Sequence, residues 1–72
     1  MSEWDFEAAT KTWRGISRRT DERAPSFDEA LENAYSAARE DNPDGDLVLR
    51  VIDYYVRGEN PITEYGVIVG KA

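Results

Sequence analysis

The chain has 72 residues, enough for one small domain that buries roughly 60 % of the surface its unfolded form exposes. It holds no cysteine and no histidine, so disulfide staples, the usual zinc, iron and copper ligands, and thiol or imidazole catalysis are excluded. Nine Lys and Arg against fifteen Asp and Glu give a net charge of -6, which opposes non-specific attraction to nucleic acid or an anionic membrane, while 40 % apolar residues suffice for a folded core.

The opening Met1-Ser-Glu-Trp-Asp-Phe-Glu carries acids where a signal or transit peptide carries basic residues, and no apolar run approaches the roughly 20 residues of a membrane span. This reads as a cytoplasmic protein, with residues 1–7, including Trp4 and Phe6, either part of the fold or a flexible arm. The segment Thr10-Lys-Thr-Trp-Arg-Gly-Ile-Ser is rich in β-branched and aromatic residues and predicts a strand near residues 8–18, followed by a charged loop over 19–24. Trp13 reads first as a core residue, and second as an exposed platform that stacks a flat ligand or fills a subunit interface. The run Trp13-Arg14-Gly15-Ile16-Ser17-Arg18-Arg19 has the composition of a nucleic-acid strip, but the acidity of the whole chain argues for arginines paired with neighbouring carboxylates.

Ser26-Phe27-Asp28-Glu29 is a capping box, in which Ser26 bonds the amide of Glu29 and Glu29 reaches back. It predicts a helix of about four turns starting at Ser26. Phe27, Ala30, Leu31, Ala34, Tyr35 and Ala38 fall at spacings of three and four and form its core stripe. Asn42-Pro43 and Asp44-Gly45 stop it and turn the chain. Glu40, Asp41, Asp44 and Asp46 gather around that turn and are candidate ligands for calcium or magnesium. Glu40, Asn42, Asp44 and Gly45 match the start of a calcium loop, yet Val51 stands where its bidentate Glu belongs, which favours a solvated acidic turn.

Residues 47–57 form a β-branched and aromatic run, Gly58-Glu59-Asn60-Pro61 is a turn, and residues 62–70 alternate, so the two runs predict an antiparallel hairpin. Simple alternation sorts the first run into Leu47, Leu49, Val51 and Tyr55 on one face and Val48, Ile52, Tyr54 and Val56 on the other. A bulge near Ile52-Asp53 would re-sort them. One helix covers one face, so the second set is the expected interface with other copies of the chain. Asp53, Glu59 and Glu64 flank the hairpin without any sign that they converge, and no residue nominates itself for catalysis, so no enzymatic role is expected. The fold class is α+β in the order β-α-β-β, a three-stranded antiparallel sheet packed against one helix.

Pro25-Ser-Phe-Asp-Glu-Ala-Leu-Glu-Asn-Ala, Leu47-Val-Leu-Arg-Val-Ile-Asp and Glu64-Tyr-Gly-Val-Ile-Val resemble the helix start, second strand and third strand of the dodecins, small proteins that assemble into hollow dodecamers and bind flavins. The resemblance implies a homo-oligomer with a flat ligand, a flavin in that family, held between subunits. It places the family's flavin-stacking tryptophan at Val48 and its flavin-contacting glutamine at Gly66, after Tyr65; Trp13 is the aromatic that would replace the lost platform. The second class of function is a small acidic interaction module, inhibitor-like or antitoxin-like, working as a monomer or dimer.

Overall fold

The computed structural model describes residues 11–72. The expected strand positions 8–10, and Trp4 and Phe6 with the rest of residues 1–7, lie outside the described residues. Strand β1 (Thr12–Arg18) is followed by helix α1 (Phe27–Asp41), strand β2 (Leu49–Gly58) and strand β3 (Ile62–Lys71). The order is β-α-β-β, and the strands form one antiparallel sheet with β3 in the centre, in the order β1-β3-β2. The fold is therefore of the α+β class.

Both ends of α1 are made by side chains. Ser26 caps the start, its hydroxyl accepting from the Glu29 amide at 3.1 Å. The reciprocal half of the capping box does not form, because the Glu29 carboxylate is engaged elsewhere: it accepts from the Ser17 hydroxyl at 2.6 Å and pairs with Arg23 at 3.0 Å. Ser17 in turn accepts from the Ser26 amide at 3.0 Å, so one buried serine of β1 locks the first turn of the helix to the sheet. At the other end Asn42 caps through its side-chain amide, which donates to the Ala38 carbonyl at 2.9 Å.

The helix lies on β1 and β3 through a ridge of small residues. Ala30, Ala34 and Ala38 are completely buried, against Trp13, Val67 and Val69. Gly15 lets the elements approach this closely: a methyl group there would overlap the Ala30 carbonyl oxygen and the Ala34 backbone, whose Cα would stand 2.9 Å away. The wider stripe expected for α1 therefore divides. Its alanine seam is core, while Phe27 and Tyr35 remain exposed and Leu31 is only partly covered.

Among the described residues, strand β2 is an edge strand with no buried position. Its register against β3 slips by one, Val51 facing Val69 and Asp53 facing Ile68, so Ile52 is an extra residue. This bulge corrects the alternation. Residues directly opposite across strands share a face, so Val51, Tyr54 and Val56 join Val69, Val67 and Tyr65 on the helix side. Ile52 lies over Gly70 and Tyr55 over Gly66 on the other side, with Arg50, Asp53 and Arg57. The expected set of Val48, Ile52, Tyr54 and Val56 is thus not one face, although all four are exposed.

Gly15→Ala is expected to destabilise the fold by about 3 kcal/mol or to prevent folding, since the overlap is with helix backbone that cannot rotate away. A urea titration followed by circular dichroism measures it. A wild-type midpoint would mean that the helix is not seated as described.

Candidate functional site

Among the described residues, the helix seated on β1 and β3 leaves β2 uncovered on its helix side. The chain there carries Tyr54 and Val56, exposed to 67 and 55 %. Phe27 reaches across from the start of α1 and packs edge-to-face on Tyr54, centroids 6.0 Å apart. Further along, α1 and β2 diverge into a groove of about 410 Å³ lined mainly by Leu31, Tyr35, Leu47, Val48, Leu49 and Val51. Its size lies within the usual range for small-ligand pockets, and its walls are apolar. Val48, expected at a ligand site, lines this groove.

The other expected ligand residues are elsewhere. Trp13 is 8 % exposed, in the core between β1 and α1, with its indole N–H donating to Asp41 at 2.8 Å. The core reading of this tryptophan holds, and its ring is not an open platform. Tyr65 packs partly buried on the helix side, whereas Gly66 faces the opposite way beneath the Tyr55 ring. The structure therefore does not bring Trp13, Val48, Tyr65 and Gly66 together within one chain.

The acidic turn is organised by a cation belonging to the protein. The Arg39 guanidinium donates to the Asn42 carbonyl at 3.0 Å and the Gly45 carbonyl at 2.9 Å, setting positive charge where the helix C-terminus favours it. Asp41 points back to β1, where Lys11 approaches it at 2.7 Å and Trp13 bonds the same oxygen. These two partners, the Lys11 bond first, hold the Asp41 carboxyl below its ordinary range. Glu40, Asp41, Asp44 and Asp46 accordingly do not assemble a cation site: among the described residues no three acidic side chains converge to hold a metal.

On the face away from the helix, Arg18, Glu64 and Arg57 stand in one row across the sheet, and Ile16, Gly66 and Tyr55 in the next. Glu64 is 8 % exposed and accepts from the Tyr55 hydroxyl and from Arg18 Nε, the latter at 3.0 Å. The Tyr55 bond first, then Arg18, lowers the Glu64 carboxyl from its usual value, and the same Glu64 bond raises the Tyr55 hydroxyl. Arg14 and Arg18 lie on this face and Trp13 on the other, so the basic run of β1 forms no continuous aromatic and basic strip. Asp53 and Glu64 share the face without sharing a partner: the Asp53 carboxylate accepts from the Tyr54 amide at 2.8 Å, and Glu59 lies in the turn.

Sequence reading missed Phe27 and Tyr35 as surface groups and missed the Tyr55–Glu64–Arg18 cluster. The helix stripe carried the first signal, being too wide for one alanine seam. Nothing local announced the second, because its members meet only through the register of three strands. Comparison of this chain with protein-family models, curated proteins and solved structures finds no match.

The folded Glu64 carboxyl binds its proton less readily than an unfolded one, whose ordinary value is 4.5. Its contribution is complete above that pH and is lost as pH falls through the lower folded value. Glu64→Gln is expected to flatten the acid limb of stability below pH about 4.5, read as the urea midpoint against pH. An unchanged limb would show that Glu64 does not couple to folding.

Proposed function

We propose that this chain is a subunit of a non-enzymatic homo-oligomer, similar in plan to the dodecins, in which other copies cover β2. The observation that carries the reading is a ten-residue edge strand with no buried position, whose exposed side chains include Val51, Ile52, Tyr54, Tyr55 and Val56. Within one chain these side chains stay largely in water, while burial in a contact stabilises them by about 1.5–3 kcal/mol for each large apolar side chain fully covered. The other edge, β1, is partly engaged within the chain, since Asn33 donates to the Ile16 carbonyl at 2.9 Å. A neighbouring subunit over β2 also roofs the groove lined by Leu31, Tyr35 and Val48, turning an open cleft into an enclosed apolar pocket for a small flat ligand. With Val48 in place of a stacking aromatic, such a ligand is held by apolar walls, and a flavin is one candidate among them.

Native mass spectrometry of the untagged protein tests this. The expected spectrum is a discrete multiple of the subunit mass, reduced to smaller species by Tyr54→Asp. A wild-type monomer across micromolar concentrations would overturn the proposal and favour the partner-binding module. Extra mass on the assembled species, released on denaturation, would identify the pocket's ligand.

A further inference from the structure

The outer edge of β2, which no strand pairs among the described residues, is complementary to itself. We infer that two copies join β2 to β2 antiparallel about a two-fold axis beside Val51, with Ile52 left out of the new ladder as it is left out of the ladder with β3, making one continuous six-stranded sheet. In this register Arg50 stands opposite the partner's Asp53, and Arg57 opposite the partner's Asp46, each pair occurring twice across the axis. The inference rests on the self-assembly reading and specifies its first contact.

Three independent features select the register. Charge is the first: Arg50, Asp53 and Arg57 all lie on the face away from the helix, and this alignment sets Arg50 against the partner's Asp53 twice, whereas placing Arg50 opposite Arg57 sets like charges together. Facing is the second. Residues directly opposite in an antiparallel pair must share a face, so in an unbroken strand Arg50 and Asp53, three apart, could not be partners about a two-fold axis. The bulge at Ile52 shifts the alternation by one and places both on the same side, which makes the pairing geometrically allowed.

The third is the ladder. The Tyr54 amide donates to the Asp53 carboxylate of its own strand, which puts that N–H on the outer edge rather than toward β3. At the other end the Ala72 amide donates to the Val48 carbonyl at 3.1 Å, so Val48 faces β3, and alternation turns Leu49 outward. Leu49 and Tyr54, both outward, become a hydrogen-bonded pair in this register, the Tyr54 amide exchanging the Asp53 carboxylate for the partner's Leu49 carbonyl as Asp53 turns to the partner's Arg50. Arg50 and Asp53 become a non-bonded pair, the kind whose side chains approach more closely. On the helix side the same alignment sets the partner's Tyr54 beside Leu49 and the partner's Val56 beside Leu47, where both extend the apolar wall of the groove.

Charge reversal tests the inference on the full-length protein. Asp53→Arg sets arginine against arginine twice and is expected to raise the dissociation constant of the β2 contact by roughly tenfold or more, read by analytical ultracentrifugation. Adding Arg50→Asp in the same chain restores both pairs with the signs exchanged and is expected to return assembly toward the wild-type level. Circular dichroism of each variant establishes that the fold is retained. Wild-type assembly that Asp53→Arg leaves unchanged overturns the edge pairing while the oligomer itself stands. Rescue by Arg57→Asp and not by Arg50→Asp overturns this register in favour of a shorter overlap over residues 53–57. Amide exchange supplies a reading independent of the variants: Leu49, whose amide faces outward, is expected to be protected at assembling concentrations and to exchange freely on dilution, and equal rates in both conditions overturn the pairing.

Discussion

The arrangement depends on how close α1 comes to β1. Gly15 has no side chain and Ala30 and Ala34 have almost none, so the helix backbone rests nearly on the strand. Close seating centres the helix on β1 and β3, and a single helix so centred cannot also cover the third strand of the sheet. The exposure of β2 follows from the small residues at the seam. With larger residues the helix would ride higher and cover the sheet differently, at the cost of the dense packing that lets so short a chain hold a core at all.

The polar contacts reinforce this seating. Ser17 and Glu29 fasten one end of β1 to the start of α1, and Trp13 with Asp41 fastens the other end to its finish. The strand and helix are thus pinned at both ends around the glycine contact. Three of the fifteen acids have work inside the fold: Glu29, Asp41 and Glu64 each accept from at least one donor on β1 and have lowered carboxyl values as a result. The acidic turn after the helix belongs to the same pattern, since Arg39 supplies its counter-charge. Net charge alone would suggest a uniformly negative surface, whereas the face of the sheet away from the helix collects Arg14, Arg18, Arg50 and Arg57.

Local chemistry made much of the fold legible. The Ser26 cap, the Asn42 stop, the hairpin turn and the two apolar strands are each written in a few adjacent residues. Whatever depends on several elements at once was not legible. The strand order with β3 at the centre, the capture of Glu29 by Ser17, and the bond from the Trp13 indole to Asp41 all require the sheet to be assembled first. The face assignment of β2 fell between the two cases. Arg50 and Asp53 hinted at a bulge, but simple alternation placed Tyr54 with Ile52, and only the pairing of Val51 and Asp53 with successive residues of β3 separates them. The candidate site inherits this division: that β2 needs covering was readable, and which residues share a surface was not.

Ile52 has one more property. Remove it in thought, and Val51 and Asp53 still fall on alternate sides, so every other residue of β2 keeps its facing and its partner on β3. The strand carries Ile52 outside its ladder, matched in count by Thr63 on β3, where a second slip falls near Gly58. Its length and its facing are uncoupled at this position, and a lineage can gain or lose a residue here without turning the rest of the strand over.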